Sequence, residues 1–173
     1  TILRTIAASL GLPLDGGSMN EAALPASYRP VLGPSARVGF RERPKKRSFF
    51  SGDNVVALGN LLHAREADPD FLGDPTAAYG GHLSKRSHGQ GVMAMVRHAL
   101  AADFVLFDEP ETALSPPAQL GVSALLMEWA EDEGHQAIIA THSPLFMRIP
   151  RAEIVELTAE GPRRIERQES ASW

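Results

Sequence analysis

Apolar residues recur along this chain with two different spacings, and the switches between them divide it into elements. Ile2, Ile6 and Leu10 share one helical face that ends at Gly11 and Pro13, so the sequence opens in a helix. Residues 11–53 hold much of the Gly, Pro and Ser and read as loop-rich, with one short strand expected at Ala36–Phe40. Asp53 stands where it can cap a helix from Asn54 to about Arg65. A second loop-rich stretch, residues 67–81, is marked by Asp68-Pro69 and Asp74-Pro75.

From Ser87 the pattern sharpens. Val92, Met95, Val96, Ala99 and Leu100 trace the i, i+3, i+4, i+7, i+8 stripe of an amphipathic helix. Phe104–Phe107 is an unbroken apolar run, as expected of a parallel strand covered on both faces. Leu114, Ala118, Val122, Leu125 and Trp129 mark another helix, closing near Gly134, and Ala137–Ala140 forms a second buried strand. Ile154–Leu157 and Arg164–Arg167, either side of Glu160-Gly161-Pro162, read as a final strand pair. The alternation implies one α/β domain over residues 1–173, a mostly parallel sheet flanked by helices.

Composition narrows the class. The 173 residues are 43% hydrophobic and 22% charged, the profile of a globular rather than a disordered chain. A net charge of −4 argues against a surface built wholly for nucleic acid. The cluster Arg41, Arg43, Lys45, Lys46, Arg47 has no periodic apolar face beside it and reads as a solvated loop, with a binding patch as the alternative. No cysteine is present, which excludes disulfides and thiolate metal sites and is compatible with a cytoplasmic location. Apolar runs fall far short of the roughly 18 residues that span a bilayer, and no signal peptide is evident.

Three stretches carry candidate chemistry. Phe104–Phe107 leads directly into Asp108-Glu109-Pro110, so two carboxylates stand at a strand's C-terminal end, where open α/β sheets bind ligands. Burying two adjacent acids there is costly unless a cation or a proton compensates. Mg²⁺ beside a nucleotide phosphate would supply it, with Asp108 holding the metal through water. Glu109 would then orient the attacking water. The plainer alternative is a strand end with solvated acids serving a turn. Ser87-His88-Gly89-Gln90-Gly91 opens the Val92 helix, where free N–H groups and the positive dipole end suit an anion. Taken alone it is equally an ordinary Ser N-cap. Thr141-His142-Ser143 follows the second buried strand, where His142 can donate to a γ-phosphate or orient water. The other histidines show no metal-ligand spacing.

Spacing joins the three. Ser87 precedes Asp108 by 21 residues and Asp108 precedes His142 by 34, each about one helix plus one strand, as parallel crossovers require. With these residues in this order the chain resembles the ABC-type ATPase family. Ser87-His88-Gly89-Gln90 resembles its LSGGQ signature, with His88 replacing the first glycine. Phe104–Glu109 looks like Walker B followed by the catalytic glutamate, and Thr141-His142-Ser143 looks like the switch region. Thr112-Ala113-Leu114-Ser115 is similar to the D-loop, with Ser115 where Asp is usual. A bacterial branch of soluble, non-transporter ATPases is similar in Tyr79-Gly80-Gly81, Ser87–Gly89 and Asp108–Glu111.

The resemblance implies a P-loop NTPase-like fold of the ABC-ATPase type, with ATP as substrate and Mg²⁺ as cofactor. It implies a head-to-tail homodimer sandwiching two nucleotides. Ser87, Gly89 and Gln90 of one copy would face the γ-phosphate that Asp108, Glu109 and His142 of the other act on. No Gly-Lys dipeptide occurs, so the phosphate-binding loop is absent and this stretch alone is expected to bind ATP poorly. Thr1–Ala7 resembles the helix that follows that loop, so upstream sequence is expected, with Thr1 beside the α-phosphate. A transporter's ATP-binding subunit is a second reading, disfavoured because no Gln follows Ala36–Phe40 and the signature is non-standard. A chromosome-maintenance or repair ATPase lacks support in the absence of sustained heptads. A nucleotide-free interaction module is the reading from a different class. Nothing supports a nucleic-acid target.

Overall fold

The computed structural model describes residues 2–13, 17–18, 37–53, 55–70, 74, 76–81 and 86–166. Thr1, Asn54 and Arg167 lie outside the described residues, as does Ala36, the first residue of the expected early strand. In chain order the elements are α1 (Ile2–Ser9), β1 (Gly17–Ser18), β2 (Arg47–Ser51), α2 (Val55–Ala67), α3 (His88–Ala99), β3 (Phe104–Asp108), α4 (Pro116–Trp129), β4 (Gln136–Ala140), α5 (Pro144–Met147), β5 (Ile154–Thr158) and β6 (Gly161–Ile165). Single 3-10 turns lie at Ala77–Tyr79 and Pro110–Ala113.

The main sheet has the order β1-β2-β3-β4. β2, β3 and β4 run parallel, and β1 joins β2 antiparallel. The fold is thus mixed α/β, with a three-stranded parallel sheet flanked by helices, an arrangement compatible with P-loop NTPases. β3 is central and buried along its whole length, which explains its unbroken apolar sequence. Its side chains alternate between two cores. Phe104 and Leu106 join Phe49 of β2 and Leu3, Ala7, Leu10 and Leu12 on the α1 side. Val105 and Phe107 join Phe50, Val92, Val96, Val122, Leu126 and Phe146 on the side of α2, α3, α4 and α5.

The structure corrects the expected early strand, the buried stripe of α1 and the start of the last strand. Residues 37–40 carry no strand; the strand of that region is β2, several residues later, inside the stretch read as loop-rich. The buried stripe of α1 is Leu3, Ala7 and Leu10 rather than Ile2, Ile6 and Leu10, and Ile2 is half exposed. Ala7 is fully buried, its small side chain allowing close approach of α1 to the sheet. The basic cluster is exposed through Arg41, Arg43, Lys45 and Lys46, while Arg47 begins β2. One carboxylate fixes that entry: Asp103 Oδ2 accepts the backbone N–H groups of Lys45 (2.8 Å) and Lys46 (3.1 Å). The Lys46 N–H, then the Lys45 N–H and the nearby positive charges, outweigh desolvation and hold the Asp103 carboxyl below its ordinary value.

β5 and β6 form a separate antiparallel hairpin, with Gly161 at φ 128° where it pairs Thr158 across the turn. Its second strand begins at Gly161, three residues earlier than the expected Arg164. Cross-strand pairs Arg163–Glu156 (2.7 Å) and Arg164–Glu153 line its exposed surface. Among the described residues no helix is long and apolar enough to cross a membrane.

Candidate functional site

The three parallel strands end in register: Ser51 pairs with Asp108, and Asp108 with Ala140. Gly52-Asp53, Glu109 and Thr141-His142 therefore emerge side by side at the carboxyl edge of the sheet. Asp108, Glu109 and His142, expected at one edge, are brought to that edge. The two-residue period that sends Phe104 and Leu106 toward α1 sends Asp108 the same way, and the carboxylate is buried.

Arg4 meets it there. From α1 its Nε donates to Asp108 Oδ2 at 3.1 Å and its Nη2 donates to Ser51 Oγ at 3.2 Å. The same guanidinium lies 3.7 Å from the Asp53 carboxylate. A buried carboxylate is tolerated when a cation with good geometry faces it, and the guanidinium fills that need. Sequence reading missed Arg4, since a single arginine among helical residues looks like part of a solvated face.

Glu109 adopts the left-handed conformation, φ 47° and ψ 54°. That costs a non-glycine residue about 1–2 kcal/mol, so neighbours must enforce it. Its N–H donates to Ala140 O at 2.9 Å, and its carbonyl accepts from Thr112 N (3.1 Å) and Thr112 Oγ1 (2.8 Å). Gly52 closes the other side, its N–H donating to Asp108 O at 2.9 Å. A Cβ at Gly52 would approach both Glu109 O and Thr112 Oγ1 closer than 3.0 Å, so the backbones meet only because this residue has no side chain. The result is a half-buried Glu109 side chain turned off the strand axis at the sheet edge.

The His142 loop is held from the 3-10 turn. Glu111 Oε1 accepts the His142 N–H at 2.5 Å and Glu111 Oε2 accepts Thr141 Oγ1 at 2.7 Å. Ser143 caps α5 by accepting from Leu145 N, and its hydroxyl donates to Gln119 Oε1 at 2.6 Å. The His142 side chain stays exposed. Glu111 and Gln119 were not singled out as site residues in the sequence; Glu111 stood there only as the last letter of a motif.

The Ser87–Gln90 stretch opens α3. Ser87 is the N-cap of α3, and the pair closes a capping box: Ser87 Oγ accepts from Gln90 N at 3.4 Å while Ser87 N donates to Gln90 Oε1 at 3.0 Å. Ser87, Gly89 and Gln90 are exposed, and the side-chain hydrogen bonds of Ser87 and Gln90 are with each other rather than with the strand-edge cluster. Ser115 is the N-cap of α4. Thr1 lies outside the described residues.

At the strand edge the Asp108 carboxylate and the Ser51 hydroxyl share the Arg4 guanidinium, with the Asp53 carboxylate 3.7 Å from it, a set of oxygen donors. Such hard donors suit Mg²⁺, which takes one or two carboxylates and completes its shell with water and phosphate oxygens. Among the described residues no group of three or more His, Asp or Glu side chains is arranged to hold a metal by itself. A surface groove of about 380 Å³ lies at the opposite edge between Ser9, Leu10, Val38, Phe40, Arg43 and Arg47, away from these acids. An apolar space between β2, α2 and α3 is a packing feature of the core.

Residues 90–148, about a third of the chain, match the family model described as AAA domain, putative AbiEii toxin, Type IV TA system. The match runs from the first turn of α3 through β3, α4 and β4 to the end of α5, and it supports a P-loop ATPase-type family. No curated protein and no solved structure matches the chain.

Proposed function

We propose that the chain is part of an ATPase of the ABC type, which binds ATP at the carboxyl edge of β2, β3 and β4 and hydrolyses it. The observation that carries this reading is the common end of the three strands, which gathers Asp108, Glu109 and the His142 loop within one hydrogen-bonded cluster. The family match over residues 90–148 supports the nucleotide-binding part independently.

In this reading Asp108 would hold Mg²⁺ through water, and the ion when bound would supply charge neutralisation for the phosphates. Arg4 neutralises Asp108 in the structure, so the guanidinium would have to share or yield that carboxylate. Glu109 would orient the attacking water and accept its proton, a task suited to a carboxylate held off the strand axis by its αL backbone. His142 would place a ring N–H toward the terminal phosphate as charge develops there. Thr1 would stand beside the α-phosphate.

Ser87, Gly89 and Gln90 of one copy would meet the phosphate bound by a second copy. Their exposure at the N-terminus of α3 leaves them open to such a contact, and the long Ser87–Gln90 bond would give way to an anion. ATP would then drive a head-to-tail homodimer. The absence of a Gly-Lys loop makes tight binding by this stretch alone unexpected.

The test is phosphate release by the full-length protein from its gene, with the Glu109→Gln variant beside it. Turnover is expected to fall by about 100-fold or more, consistent with loss of a general base. Light scattering should then show an ATP-dependent dimer that persists in the variant. Undiminished hydrolysis by Glu109→Gln rejects the role given to that residue.

A further inference from the structure

We propose that Glu111 is the positioning residue for His142, a role that rests on the nucleotide reading above. One carboxylate receives two donors from the switch loop, the His142 backbone N–H at 2.5 Å and the Thr141 hydroxyl at 2.7 Å. It does so from the 3-10 turn that directly follows Asp108-Glu109, so the acidic pair and the histidine hang on one short bridge.

The bridge belongs to a closed ring of hydrogen bonds. Thr141 Oγ1 accepts the Ser143 N–H at 2.9 Å, and the Ser143 hydroxyl donates to Gln119 Oε1 at 2.6 Å. Gln119 Nε2 donates to Leu114 O at 3.1 Å, and Leu114 N–H returns to Glu111 O at 3.1 Å. The ring ties the 3-10 turn, the first helical turns of α4 and the loop after β4. Such rings fix geometry more firmly than isolated bonds. The Thr141 side chain is half-buried while that of His142 is exposed, so the loop is anchored through the Thr141 and Ser143 hydroxyls and the His142 N–H, and its imidazole is left to face a ligand.

The chemistry makes the claim specific. Glu111 accepts from two donors, so its function is to accept. A glutamine at this position keeps the His142 bond through its carbonyl and donates its amide to Thr141, whose oxygen has a spare lone pair. An alanine keeps neither bond. Glu111→Gln should therefore behave like the wild type, and Glu111→Ala should not. A residue that acted directly on substrate or metal as a carboxylate would lose as much as Gln as it does as Ala.

The experiment measures kcat and KM for MgATP in the full-length protein for wild type, Glu111→Gln and Glu111→Ala, with amide hydrogen exchange at residues 141–147. Expected is a kcat about 10- to 100-fold lower for Glu111→Ala, the scale of a misplaced catalytic group, with KM changed less than about 3-fold. Glu111→Gln should keep kcat within about 3-fold of wild type, and the His142 amide should lose protection in the alanine variant alone. Equal damage in both variants overturns the inference, because the carboxylate would then act directly. Full kcat in Glu111→Ala, with or without faster exchange at His142, overturns it too while leaving the ATPase reading intact. A wild-type protein that releases no phosphate refutes that reading, and the positioning role falls with it.

Discussion

Replacing Gly52 by alanine probes the contact that holds the candidate site together. The added Cβ would press on Glu109 O and Thr112 Oγ1, one of them backbone, so relief requires the β2 turn and the Asp108-Glu109 turn to separate. Overpacking of this kind costs about 1–3 kcal/mol, with the higher figure expected where backbone must move. Separation also weakens the Gly52 N–H bond to Asp108 O, worth about 1 kcal/mol. The sum, about 2–4 kcal/mol, corresponds to a fall in Tm of roughly 5–15 °C for a domain this size. Thermal unfolding followed by circular dichroism reads it. Gly121→Ala is the matched control: it lies within α4 with nothing in range of a new Cβ, and should stabilise by up to about 1 kcal/mol. If Gly52→Ala unfolds within about 1 °C of the wild type, the close approach described here is wrong.

Two further substitutions address the electrostatics. Arg4→Met keeps the aliphatic stem but strips Asp108 of its guanidinium, and should cost about 3–5 kcal/mol in urea unfolding, the range for a buried pair broken from one side. Most of that loss should return in the Arg4→Met/Asp108→Asn double variant; a double variant no better than the single one would contradict the pairing. Asp103 has a depressed folded pKa, so its stabilisation is complete above the unfolded value of about 3.9 and is lost as pH falls through the lower folded value. Asp103→Asn should accordingly be less stable than wild type near neutral pH, by under about 1 kcal/mol for so exposed a group, and the gap should close in acid. A gap that widens below pH 4 would reverse the sign worked out here.

Legibility in the sequence followed the length and purity of each pattern. The run from α3 to β4 was readable because α3 carries a clean stripe and β3, buried on both sides, has no polar interruption until Asp108. In α4 the buried apolar positions are Val122 and Leu126 rather than the expected Leu125, and Leu120 and Met127 are exposed. β2 was not readable. Arg-Ser-Phe-Phe-Ser is short, follows a basic Pro-containing run, and owes its burial to its parallel partner β3 rather than to any alternation of its own. The first helix was recognised with its stripe rotated by one residue, because both Ile2/Ile6/Leu10 and Leu3/Ala7/Leu10 satisfy a helical period and only the sheet selects between them. Asp108, Glu109 and His142 stood out through their strand-end positions. Arg4, Gly52 and Glu111 did not, since each acts across a large sequence separation that no local pattern encodes. Ser87 and Gln90 carry the Ser-x-x-Gln spacing of a capping box, and that is the role they play in the structure.

In the proposed reading a nucleotide phosphate and its metal bind where β2, β3 and β4 end. Mn²⁺ with ATP, added at millimolar concentration so that weak binding registers, broadens backbone NMR signals close to the ion. Selective broadening is expected at Gly52, Glu109 and His142, with Lys45, Asp103 and His135 at the opposite edge left sharp. Broadening confined to that opposite edge, or none anywhere, would contradict it.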